Sequence, residues 1–84
     1  MSLHDLKNSP KVIGTKQVKK AINKGMAQKV FIAEDAESHV IEPIKELCRK
    51  NQVEMQMVGN MEMLGDACGI EVGSATVALI NNEP

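Results

Sequence analysis

With 84 residues, 43% of them apolar and 25% charged, and a formal net charge of -1, the chain has the composition of one folded domain. It is too short for two hydrophobic cores and too apolar for a disordered segment, and no apolar run approaches the roughly 18 residues that span a bilayer. Aromatic residues are reduced to Phe31, so a core must be assembled from Val, Ile, Leu, Ala and Met.

The N-terminal Met1-Ser2-Leu3-His4-Asp5 lacks the basic-then-apolar order of a signal peptide. Lys11-Val12-Ile13 reads as a short strand closed by Gly14. Thr15 is placed to cap a helix through its hydroxyl, and Ala21-Ile22 continue that helix until Gly25 ends it. Lys29 to Ala33 is a continuous apolar run of strand length, rich in β-formers, the signature of a buried strand. An acidic turn, Glu-Asp-Ala-Glu-Ser-His, follows, with Ser38 as the expected cap of a second helix. In that helix Val40, Ile41, Ile44, Leu47 and Cys48 recur at helical spacing, and Pro43 is expected within its first turn.

Val53 to Val58 alternates as a strand, and Gly59-Asn60 breaks it, with Asn60 as a cap for a third helix carrying Met61, Leu64, Ala67 and Cys68. The stretch Gly-Ile-Glu-Val-Gly-Ser is a glycine-bounded loop, and Ala75 to Ile80 is a last buried strand. The tail Asn81-Asn82-Glu83-Pro84 is polar and expected to fray. Strands and helices thus alternate as β-α-β-α-β-α-β over a single domain spanning 1–84, with no linker and no internal repeat. That order predicts an α/β fold, a sheet between helices.

The small net charge conceals an asymmetry. Between Asp5 and Glu34 there is no acid, while Lys7, Lys11, Lys16, Lys19, Lys20, Lys24 and Lys29 all fall there. From Glu34 onward acids dominate, opposed by Lys45, Arg49 and Lys50. A basic third of this kind points to an anionic partner. On a helical wheel Val18, Ala21 and Ile22 share one side, and Lys16, Lys19, Lys20 and Asn23 the other, with Gln17 and Lys24 at a margin near Lys20. A solvated lysine face is the plainer reading. Against it, no glutamates alternate with these lysines, and the free N–H groups at the helix start add positive potential beside Gly14 and Thr15.

Ile70 and Val72 lie between two glycines, equally open to burial under the sheet edge or to exposure as an apolar ledge for an unstacked base. The remaining candidates are weaker. Gly-Thr-Lys does not match a Walker loop, and no dinucleotide fingerprint occurs. Cys48 and Cys68 match neither a redox nor a zinc spacing and read as reduced thiols of a cytoplasmic protein. His4 and His39 are isolated, and Glu34-Asp35-Ala36-Glu37 reads as a solvated turn that also caps a helix. No catalytic set and no metal set emerges, and no cofactor is implied, so an enzyme is not expected. With one aromatic, the chain cannot stack bases on a sheet as an RRM or OB-fold does. A basic helix start beside an apolar loop suits a bent or bulged RNA with a splayed nucleotide.

Three segments, Ile13 to Gly25 ("IGTKQVKKAINKG"), Val30 to Glu37 ("VFIAEDAE") and Leu64 to Asn81 ("LGDACGIEVGSATVALIN"), together resemble the kink-turn RNA-binding ribosomal protein superfamily. That group contains the ribosomal proteins L-seven-Ae and L-thirty-e and small bacterial homologues, and the resemblance covers Lys11 to Asn81. It implies a three-layer α-β-α sandwich with a mixed four-stranded sheet. The family's Gly-Thr-Asn-Glu-x-x-Lys motif falls on Gly14, Thr15, Lys16, Gln17 and Lys20.

By resemblance, Lys16, Gln17 and Lys20 meet sheared G·A pairs at an RNA kink, and Lys24 touches phosphate. Ile70, Glu71 and Val72 would cover the extruded nucleotide, and Glu37 stands where relatives often carry an Asp near the RNA. Lys16 and Gln17 replace the Asn and Glu of archaeal members, and Met61 stands where some relatives have a Lys. The implied function is recognition of kink-turns in ribosomal RNA, a riboswitch leader or another noncoding RNA, by a protein that is monomeric when free and uses no membrane. The alternative is a protein-interaction or assembly module of a ribonucleoprotein, with RNA binding incidental.

Overall fold

The apolar run Lys29 to Ala33 lies at the centre of a four-stranded sheet, where both faces are covered and continuous β-branched and aromatic side chains are favoured. In the computed structural model, which describes residues 6–80, the elements are β1 (Lys11–Ile13), α1 (Thr15–Asn23), β2 (Ala27–Ala33), α2 (Ser38–Asn51), β3 (Glu54–Val58), α3 (Met61–Cys68) and β4 (Thr76–Ile80). The polar tail 81–84 and the segment 1–5 with His4 lie outside the described residues.

The strand order is β1-β4-β2-β3. β4 runs antiparallel to both β1 and β2, whereas β2 and β3 are parallel, joined through α2. The sheet is therefore mixed, as the resemblance implies. Register puts Ile13 opposite Val77 and Val77 opposite Phe31, so one row crosses three strands. α1 and α2 pack side by side on one face, and α3 packs on β2 and β3 from the other. The core between these layers includes Val30, Phe31, Ile32, Ile44, Leu64 and Val77, none of them exposed. Leu6 is equally buried, so the turn before β1 contributes to the core.

Local details depart from the sequence reading in four places. Thr15 is the first residue of α1, not its cap; Gly14 takes the cap position at φ 101°, and no side chain caps that end. Ser38 is likewise the first residue of α2, preceded by Glu37 in extended conformation with no side-chain cap. Pro43 lies inside α2 beyond its first turn, where its missing N–H leaves the His39 carbonyl without the usual i+4 donor. β2 starts at Ala27, two residues early, because an irregularity between Ala27 and Lys29 lets the chain pair with β4 before the apolar run begins.

Asn60 caps α3 as expected, its side chain accepting the Met63 N–H at 2.7 Å. Asp35 Oδ1 accepts the Met61 N–H at 2.8 Å, so the acidic turn, whose Glu37 holds the cap position of α2, also caps α3 through a side chain. Among the described residues, no helix is long and apolar enough to cross a membrane.

Candidate nucleic-acid interface

The topology brings the ends of all four strands that matter to one edge. β1 ends at Gly14, β2 at the Glu34 turn and β3 at Gly59, and β4, antiparallel to β1 and β2, begins there at Thr76. The Gly14 N–H donates to the Thr76 carbonyl at 3.0 Å, and Ala33 N–H donates to the Ala75 carbonyl at 2.9 Å. The start of α1 and the loop before β4, separated by most of the chain, therefore meet.

Gly14 makes that junction possible. Its φ of 101° and ψ of 148° lie where side-chain-bearing residues are strained, and this turn swings the chain from β1 into α1. Val18 N–H then donates to the Gly14 carbonyl at 2.9 Å, closing the first helical turn. The amides of Thr15, Lys16 and Gln17 precede any i−4 partner within the helix, and no acidic side chain sits in that turn. The result is a patch of positive potential, reinforced by exposed Lys16, Lys19 and Lys20.

Two lysines of the basic third are withdrawn from it. Lys29 pairs with Glu54 at 3.3 Å and lies 5.3 Å from the Phe31 ring centroid. Lys11 Nζ donates to the Lys7 carbonyl at 3.2 Å, tying down the turn before β1. Among the described residues, Lys16, Lys19, Lys20 and Lys24 enter no ion pair.

The far edge of the surface is the loop from Gly69 to Ala75. The two apolar side chains, equally open to burial or exposure from sequence, divide: Ile70 packs against the core, whereas Val72 is 70% exposed. Glu71 is exposed beside it. The loop is pressed onto α3 backbone to backbone. A Cβ on Gly65 would collide with the Val72 carbonyl, and one on Gly73 would come within 3.1 Å of Met61 Cβ. Ile70 N–H donates to the Gly65 carbonyl and Ser74 N–H to the Met61 carbonyl, each at 3.1 Å. Met61 thus supports the loop with its backbone and the root of its side chain.

Ser74 and Thr76 are the buried polar side chains among the described residues, and both lie at the junction. Ser74 Oγ donates to the Thr76 carbonyl at 2.9 Å, the same oxygen that accepts from Gly14. Thr76 Oγ1 lies 3.5 Å from Thr15 Oγ1, at the limit of a hydrogen bond. Sequence reading passed over these residues because Thr76 meets Gly14 and Thr15 only in the folded chain, and the Ser74 bond matters only once that meeting is made; a serine and a threonine at the start of an otherwise apolar strand was the available signal.

The residues singled out from sequence fall into three places. Gly14, Thr15, Lys16 and Gln17 stand at the helix start, which the Gly14–Thr76 bond joins to the end of the loop that carries Ile70, Glu71 and Val72. Lys20 is one turn further along, and Lys24 forms the C-cap of α1, about 12 Å along the axis from Lys16. Glu37 flanks the edge beyond β2, exposed and 3.1 Å from His39 Nε2. Lys24 is therefore not gathered at the edge but lies down the flank of the helix.

Residues 3–84 match the model of the ribosomal protein L7Ae/L30e/S12e/Gadd45 family. The chain belongs to that family. An RNA-binding protein of Caldanaerobacter subterraneus is 41% identical over 73 residues, which cover 87% of this chain and 89% of the relative. The large ribosomal subunit protein eL8 of Halobacterium salinarum is 38% identical over 68 residues, 80% of this chain and 57% of that protein. Among solved structures, a 15.5kD RNA binding protein of Giardia lamblia superimposes with a TM-score of 0.89 over 96% of this chain and 72% of its own, at 23% identity. At that identity the likeness establishes the fold, and the three helices and mixed sheet described above are the fold of this family.

Proposed function

We propose that this chain binds RNA and recognises kink-turns, non-enzymatically, through the edge formed by the α1 start and the Ile70–Val72 loop. The observation that carries the reading is the junction at Thr76, which ties the start of the lysine-rich helix to the end of the loop on which Val72 is exposed. The family membership and the RNA-binding names of similar proteins support the polymer class.

The division of labour follows from chemistry. Lysines on phosphate give a salt-dependent contribution that tolerates sequence. Lys16 donates to guanine O6 or N7, and the Gln17 amide both donates and accepts at a G·A edge; each such contact discriminates by roughly 1–3 kcal/mol. Val72 covers the extruded nucleotide, removing an unstacked base face from water. Glu37, at the margin, borders the RNA rather than holding it. Because the surface fits the bent form, binding draws that form from a flexible ensemble.

Gel-shift titration tests this directly. A duplex with a three-nucleotide bulge and adjacent G·A pairs is compared with one whose G·A pairs are replaced by Watson–Crick pairs. Tighter binding to the first is expected. Equal affinity would defeat kink-turn recognition, and capture of a protein partner after RNase treatment would favour an assembly module instead.

A further inference from the structure

A cavity of about 170 Å³ opens beside α1, at the margin of its packing on the sheet. Its floor is apolar: Val12 from β1, Ala21, Met26 and Ile80 from the end of β4. Val12 faces Ala78 across the β1–β4 ladder, and Ile80 lies two residues beyond Ala78, so Val12 and Ile80 share the face that α1 covers. Met26 is 39% exposed at the mouth, its N–H bonded to the Ala21 carbonyl at 2.9 Å.

One rim is cationic and polar: Gln17, Lys20 and Lys24, spaced by three and four, stack along a single helix flank. No carboxylate lines the cavity, and neither lysine is engaged in an ion pair among the described residues. Its volume is below the roughly 300–1,000 Å³ of sites that enclose a drug-sized ligand, which leaves space for one flat ring.

An apolar floor under two cations matches a ring with an apolar face that carries a phosphate, which is the chemistry of a nucleotide. A base-paired nucleotide cannot enter, because its ring is held in the stack. The lining begins at Gln17, within the proposed interface, and extends to Lys24 and Ile80 at the opposite end of the sheet. A strand leaving the bound RNA at Gln17 would run along this flank. We propose that the cavity is a second nucleotide site, taking an unpaired nucleotide from a strand that extends out of the bound RNA. Its ring rests on Val12, Met26 and Ile80, and its phosphate on Lys20 and Lys24. This site rests on the RNA-binding reading above, and it explains why Lys24 lies down the helix flank rather than at the edge.

Fluorescence-anisotropy titration of the full chain with two RNAs tests it. Both carry the same bulge and G·A pairs; one is blunt, and the other has three unpaired nucleotides extending from each strand of its stems. The extended RNA is expected to bind about 5-fold tighter, below the gain of stacking on an aromatic ring because none is present. Met26→Asp is expected to bring the two affinities together. Equal affinities in the unsubstituted protein, or a full gain that survives Met26→Asp, would overturn the site. Failure to bind either RNA would instead overturn the function on which it rests. A free mononucleotide carries the same chemistry, so adenosine monophosphate is added to the protein alone and the Met26 methyl signal is followed by NMR. A saturable shift there, with no gain from the extended RNA, would overturn the assignment to an RNA strand.

Discussion

Gly14 and Thr76 are joined by a 3.0 Å hydrogen bond from the Gly14 N–H to the Thr76 carbonyl, although most of the chain separates them. That bond fixes the start of α1 against the root of the loop that presents Val72. Ser74 Oγ reaches the same carbonyl at 2.9 Å. The fold needs the bond to close its sheet end, and the proposed interface needs it to keep its two halves in register.

Ser74→Ala removes the hydroxyl while leaving the Thr76 carbonyl its Gly14 partner, so no buried acceptor is orphaned. The expected cost in stability is about 1 kcal/mol, the net worth of one such bond. The preference for bulged over plain duplex RNA should narrow, because the loop gains freedom relative to α1. Urea denaturation gives the first quantity and paired gel shifts the second; an unchanged preference would show that the register of the two halves does not matter.

Gly65→Ala should be the more damaging substitution. Its Cβ would meet the Val72 carbonyl, which is backbone and cannot rotate aside, so the loop must lift from α3. A loss on the order of 1–3 kcal/mol follows from overpacking, with NMR shifts concentrated at Val72, Gly73 and Ser74. Gly59→Ala serves as the control: its Cβ meets Met63 Sδ at 3.6 Å, an ordinary contact, and stability should barely change. Equal effects of the two would contradict the packing described.

How far the sequence reveals this molecule depends on the range of the interaction. The buried strand from Lys29 to Ala33 was legible because the adjacent Val30, Phe31 and Ile32 all favour it without help from elsewhere, and the Asn60 cap because its bond spans three residues. Thr15 and Ser38 misled because a hydroxyl at a helix start is a permissive signal, and here glycine geometry and an extended Glu37 take the cap positions instead. Leu6 is flanked by Asp5 and Lys7 and belongs to no apolar run, yet it is fully buried. In the proposed interface, the lysines and the loop 70–72 stood out by charge and by flanking glycines. Gly65, Ser74 and Thr76, which hold that loop in place, act through contacts that only the folded chain creates.

Lys20→Ala should weaken RNA binding and lower the slope of log affinity against log salt by about 1, since one phosphate contact releases about one counterion. Lys20 is exposed and enters no ion pair among the described residues, so folding should be unaffected. Titrations at a series of potassium chloride concentrations measure the slope. An unaltered slope would remove Lys20 from the phosphate contacts.

Stability should decline at high pH. Burial pushes the thiols of Cys48 and Cys68 above their ordinary value of 9.0, and Arg49 and Lys11 respectively offset this only in part. The folded chain thus holds these protons more tightly than the unfolded chain. Stability is intact below 9.0 and falls as pH rises from there through the raised native values. No tyrosine titrates in that range. Urea midpoints taken from pH 7 to pH 10 should fall more steeply for the natural chain than for a Cys48→Ala, Cys68→Ala variant, whatever the variant's starting stability. Parallel curves would contradict the assignment.

The central claim is that the Thr76 junction builds a surface selective for bent RNA, and end-to-end energy transfer on a doubly labelled RNA measures that bend. In buffer without magnesium, a bulged duplex with G·A pairs is titrated with protein, binding being followed in parallel by anisotropy. Driving a mostly open ensemble to nearly full closure requires a preference on the order of 10⁴-fold for the bent form. Transfer efficiency is predicted to rise to saturation with binding, and to stay low when the G·A pairs are replaced. Saturated binding without a rise in transfer would contradict the claim.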